Sequence, residues 1–90
     1  MRQLPDSVQA YKRTPIFNQD TIPAGLRKDH RTAEGVWGVI TVVSGELRYE
    51  IADEAESHVL GPGNPGTVAP TVSHKVTPVG DVAFYVEFHR

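Results

Sequence analysis

The chain has no cysteine, so its chemistry rests on four histidines, the carboxylates, tyrosine and serine. The lack of Cys excludes disulfides, thiolate metal sites and thiol nucleophiles together. His74 stands out among what remains. It closes "GNPGTVAPTVSH", residues 63–74, where a Pro-Gly turn leads to a short β-type run, then Pro70, then the histidine. A Pro-led bend that opens a strand can aim a side chain into the mouth of a β-structure. A neutral imidazole there suits a metal, usually with a second group orienting the ring. The ordinary alternative is a histidine hydrogen-bonded at a strand end.

His30 lies in "RKDHRT", just before the most apolar stretch. Its surroundings are charged, and a histidine in such a loop is usually solvated. Glu87 lies in "VAFYVEFH" between Val86 and Phe88. A carboxylate inside an apolar strand must face water or be paired. His89 shares its face by period-2 alternation and is a reserve ligand. Two histidines and a carboxylate form a recognised set for non-haem iron and for zinc. His30, His74 and Glu87 are therefore the candidate metal ligands, while His58 reads as a surface residue. No serine has the sharp turn and oxyanion hole that a Ser-His-Asp triad needs. "GPGNPG" looks like a phosphate loop, but its prolines lack the N–H donors such a loop uses.

The elements that must position these residues read as strands. Eight glycines and seven prolines are spread over 90 residues and chop the chain into short segments. "VWGVITVVSG", residues 36–45, is β-branched and ends in a Ser-Gly turn signal. "ELRYEI" alternates, with Leu47, Tyr49 and Ile51 on one face. Together they predict a hairpin across "SGE". "HVL", "TVAP" and "SHKVTP" predict short strands, "GD" at 80–81 a turn, and "VAFYVEFH" the last strand. Residues 1–14 predict a loose arm or an edge strand. No segment combines helical periodicity with caps. The expectation is one all-β domain over 1–90, a sandwich or barrel.

Charge and length limit the partners. Nine Lys and Arg against eleven Asp and Glu give a net charge of −2. That offers no electrostatic footprint for nucleic acid and no basic block for anionic lipid. No apolar run approaches the roughly 18 residues of a membrane helix, and the first residues lack the apolar core of a secretory signal. The missing cysteines favour the cytoplasm.

Pro65-Gly66, Pro70 and His74 resemble the second motif of the cupin superfamily, and His30 through Gly45 resembles the first. Over residues 11–90, "IPAGLRKDHRTAEGVWGVITVVSGELRYEI" and "VAPTVSHKVTPVGDVAFYVEFHR" resemble the small cupin-like domain of TehB-type tellurite-resistance proteins, which also occurs in stand-alone YeaR-type proteins. A typical cupin has a second His two positions after the first and a Glu seven before the glycine. Thr32 and Gly38 stand there in this chain. The resemblance thus carries over His30 and His74 only, with Glu87 supplying the carboxylate. TehB-type proteins also have a methyltransferase domain, of which these residues hold none, so methyl transfer to tellurite is not expected of them.

The resemblance implies a single-domain cupin, a double-stranded β-helix or jelly-roll barrel, pairing along an edge as a homodimer. The expected function is a divalent-metal site, zinc first and iron or nickel next, that binds a small molecule or oxyanion in the tellurite-resistance group. Trp37, Tyr49 and Tyr85 are assigned to the ligand pocket, and Arg31 or Arg48 could face an anion. Two alternatives stand beside it: a cupin enzyme, either an iron-dependent dioxygenase or an isomerase, and a metal-free dimerisation or interaction module.

Overall fold

The computed structural model describes residues 1–90, and its regular structure is almost entirely β. The strands are β1 (Ala10–Arg13), β2 (Phe17–Asn18), β3 (Trp37–Ile51), β4 (Glu56–Leu60), β5 (Gly66–Val68) and β6 (His74–His89). Two 3-10 turns, Ala24–Arg27 and Ala52–Glu54, are the only helical pieces. The strands form one antiparallel sheet in the order β1-β6-β3-β4, with β2 also paired to β6 and β5 to β3. This sheet does not close into a barrel, contrary to the expectation. Strands β1 and β4 each have a neighbour on one side only.

The hairpin expected across "SGE" does not form. Residues 37–51 run on as one strand, and residues 74–89 run beside them over their whole length. The turn signals bend these strands and do not end them. On β3, Val42 pairs with Phe84 and Ser44 with Ala83, so Val43 is an extra residue and projects into solvent at 51% exposure. On β6, Gly80 and Asp81 are the extra residues between Val79, opposite Glu46, and Val82, opposite Gly45. Such bulges kink a strand pair and sharpen its twist. Gly45 makes the bend possible. Its φ is 77°, and a Cβ on it would lie 2.0 Å from the Asp81 carbonyl oxygen. Only glycine fits both demands.

The bend gathers one continuous core. Leu47, Tyr49 and Ile51 alternate inward from β3 as their period predicts, and Val82, Phe84 and Val86 do so from β6. Leu60 of β4 is opposite Leu47, and Gly66 of β5 is opposite Ile40. A Cβ at Gly66 would come within 2.7 Å of the Leu60 side chain, so the glycine lets β5 close over the core. No helix is long and apolar enough to cross a membrane.

Candidate functional site

The site begins with a backbone contact. His30 and His74 form an isolated antiparallel bridge. The His30 N–H donates to the His74 carbonyl at 2.7 Å, and the His74 N–H donates back at 2.9 Å. Directly opposed residues project to the same face, so the two rings meet edge to face with centroids 5.3 Å apart. The Tyr49 ring packs edge-on against His74 at 5.9 Å.

Side chains remote in sequence hold the turn that delivers His74. The Asp53 carboxylate accepts the Ser73 N–H at 2.8 Å and is paired with Arg31 at 3.3 Å. Arg31 also donates to the Thr71 carbonyl at 2.7 Å. Thr71 has a φ of 62°, a strained value for a β-branched residue. Arg31 Nη1 is thus engaged in this clamp, outside the cavity lining, while Arg48 is exposed on β3.

His74 is 4% exposed. Its Nδ1 lies 3.2 Å from the Val72 carbonyl oxygen. A carbonyl only accepts, so Nδ1 carries the proton and Nε2 of the neutral ring is an acceptor. Burial holds the His74 pKa below 6.5; the Val72 bond opposes this shift, and the neighbouring His30 adds to it. His30 Nδ1 is buried and has no hydrogen-bond partner. Leaving such an atom unpaired costs about 1–3 kcal/mol.

Both rings border a cavity of about 260 Å³ between the inner face of the sheet and the segment before β3. Its walls are apolar: Ile40, Val68, Phe84, Val86 and Phe88 from the sheet, with Phe17 of β2 beside them. Pro23, Gly25 and Leu26 close it from the first 3-10 turn. No Asp, Glu, Lys or Arg lines it.

Glu87 does not join the histidines. Its neighbours Val86 and Phe88 border the cavity, so alternation turns Glu87 to the other face of β6. There it accepts from Arg13 Nη2 at 2.7 Å and Nε at 3.1 Å, and it lies 3.1 Å from His89 Nε2. The Arg13 bond lowers its pKa; desolvation opposes that, and charge attraction from Arg13 and His89 adds to it. The pocket aromatics are also displaced. Tyr49 is buried in the core, donates its hydroxyl to the Thr67 carbonyl at 2.9 Å, and has its pKa pushed up by burial. Tyr85 is stacked under Arg13 on the outer face, 4.4 Å from its guanidinium carbon. Trp37 packs against the core edge and does not border the cavity. Phe17, Phe84 and Phe88 make the aromatic wall instead. The inward alternation of Phe84 and Phe88 was visible in "VAFYVEFH", but nothing local marked Phe17, Leu26 or Asp53.

An open apolar-lined cavity in an all-β sheet, with two histidines bridged at its rim, defines the class: a small β domain with one interior site. The TehB-like domain family matches residues 12–86, and the chain belongs to that family. Two curated relatives are the probable S-adenosyl-L-methionine-dependent methyltransferases TehB of two Haemophilus influenzae strains. They are 30% and 29% identical to this chain over 76 residues, which is 79% of this chain and 27% of each relative. The chain therefore spans about a quarter of the length of those relatives. The crystal structure of Haemophilus influenzae TehB superposes with a TM-score of 0.83 at 26% identity, over 93% of this chain and 32% of that one. A solved E. coli (strain K12) protein superposes with a TM-score of 0.89 at 25% identity, over 100% of this chain and 97% of that one.

These findings overturn the expected metal-binding function. No group of three or more His, Asp or Glu is placed to hold a metal ion, because Glu87 is on the opposite face. The named relatives are probable S-adenosyl-L-methionine-dependent methyltransferases, and neither is a metal-binding protein by name. The zinc, iron or nickel cofactor is corrected with it. S-adenosyl-L-methionine itself does not fit the cavity either. It carries a sulfonium and an amino-acid head, and the walls offer no charged partner.

Proposed function

We propose that this chain is a small-molecule-binding module of the TehB-like group, which holds its ligand in the apolar cavity without a metal. One observation carries the reading: an open-mouthed cavity of about 260 Å³, walled by core residues, with a neutral imidazole at its edge. An engineered apolar cavity of about 150 Å³ takes benzene, so this one has room for a substituted ring. Apolar sites with few polar groups are the usual form of small-molecule pockets. In a longer relative such a module would work beside methyl transfer and not perform it. The finer fold reading, an opened jelly roll of cupin type, belongs to this proposal and is supported by the bend at Gly45 that wraps two long strands around one core. Homodimer formation belongs to it as well, supported by the free edges of β1 and β4.

The test is an NMR titration of the labelled chain with toluene. Shifts confined to the amides of Leu26, Ile40, Val76 and Phe88, and lost in the cavity-filling variant Val68→Phe, are the expected result. Absence of any saturable shift in the cavity would overturn the reading.

A further inference from the structure

We infer that the cavity selects a neutral molecule with one hydroxyl on an apolar body, a phenol or a compact alcohol, whose O–H donates to His74 Nε2. This deepens the proposed function and rests on it. Three observations narrow the class.

The first is charge. A carboxylate or an inorganic oxyanion needs a cation or several N–H donors, and the walls carry no Lys or Arg. An ammonium needs a carboxylate, and there is no Asp or Glu. A charged group moved into such walls loses its hydration without compensation. Only a neutral head fits.

The second is polarity of the hydrogen bond. The Val72 carbonyl consumes the one proton of the His74 ring at Nδ1. What His74 presents at Nε2 is therefore a lone pair. It favours a ligand that donates over one that only accepts, so a hydroxyl outranks an ether, ketone or ester of the same size. The His30–His74 bridge and the Asp53–Ser73 bond pin the backbone on both sides of this ring, so the acceptor is held in place before a ligand arrives.

The third is the neighbour. His30 Nδ1 is buried without a partner, 5.3 Å from the His74 ring as measured between centroids. That nitrogen is closed to a water-sized probe, so the His30 ring walls the site beside His74 and leaves the ligand contact to His74. Thr14 and Thr32 also border the cavity, but each is already engaged: Thr14 Oγ1 accepts the Val86 N–H and bonds the Pro15 carbonyl, and Thr32 Oγ1 bonds the Ala69 carbonyl. With both threonine protons spent, His74 Nε2 is the histidine acceptor left for the ligand.

The experiment compares p-cresol with anisole, isomers of one formula that differ in whether the oxygen carries a proton, and adds benzoate as the anion. Dissociation constants come from NMR titration of the whole chain. The expected result is p-cresol binding about tenfold tighter than anisole, as one net hydrogen bond would give, with benzoate weaker than both. His74→Phe should bring the two isomers to equal affinity while anisole still binds, which shows that the cavity is intact. His74→Gln, which keeps an acceptor, should restore part of the preference. Equal affinity of the isomers in the unaltered protein would overturn the hydroxyl inference and leave the cavity reading standing. Tighter binding of benzoate would overturn it too. Binding of none of the three would overturn both.

Discussion

Two polar groups on the same strand make the instructive contrast. His74 at the start of β6 faces inward with His30. Glu87 near its end faces outward with Arg13 and His89. Each is a small cluster containing histidine. The inner one is walled off, neutral at His74 and positioned by backbone hydrogen bonds. The outer one is half-exposed, ionic and positioned by long side chains. Alternation along a strand is enough to separate them, because thirteen residues of register place one position on each face. A histidine and a carboxylate in one strand therefore share a site only when their parity and the bulges between them agree. Here they do not.

The largest expected effect sharpens this inner–outer difference in the core itself. Phe84→Ala should cost about 3–5 kcal/mol of unfolding free energy, because the ring is fully buried. Its neighbour Tyr85→Ala should cost under about 1 kcal/mol, because that ring faces outward under Arg13. Urea denaturation of the two variants measures the difference. Similar losses would break the assignment of faces.

A smaller effect follows from His74. Its folded pKa lies below the ordinary 6.5. Below pH 6.5 the unfolded chain takes up a proton that the folded chain refuses, so stability falls as pH falls towards the folded pKa. Above pH 6.5 both forms are neutral and the contribution is constant. Thermal unfolding between pH 7.5 and 5 should show this loss, and His74→Phe should flatten that part of the profile.

The outer cluster should matter least for stability. Glu87→Gln should move the melting temperature no more than an ordinary surface substitution, and 1 M salt should erase the change. A chelator should likewise leave the melting temperature unchanged. A fall on adding EDTA would break the contrast by showing a metal held at the inner histidines.

How much of this was legible beforehand varies by element. The period-2 runs in "ELRYEI" and "VAFYVEFH" announced which residues enter the core, since burial selects apolar side chains at every second place. The β class followed from the scatter of Gly and Pro. His30 and His74 were each singled out by a motif resemblance, and it is the backbone bridge between them that sets them side by side. The hairpin at "SGE" failed because Gly45 serves equally well as a turn residue and as a bulge residue. The difference lies in Asp81, thirty-six positions away, whose carbonyl occupies the space of a Cβ. Glu87 failed as a ligand because alternation sets it on the face opposite Val86 and Phe88, where Arg13 of a different strand pairs with it.

The sequence by itself determined local geometry: extended segments, their inward faces, the places where only glycine can bend the chain, and the absence of thiol chemistry. These depend on sterics and solubility of neighbouring residues. Tertiary structure alone decided that two turn signals become facing bulges, that Asp53 and Arg31 clamp the turn before His74, and that Phe17 and Leu26 complete a cavity. Each of those requires two segments far apart in the chain to occupy adjacent space, and no spacing within either segment encodes the other's position.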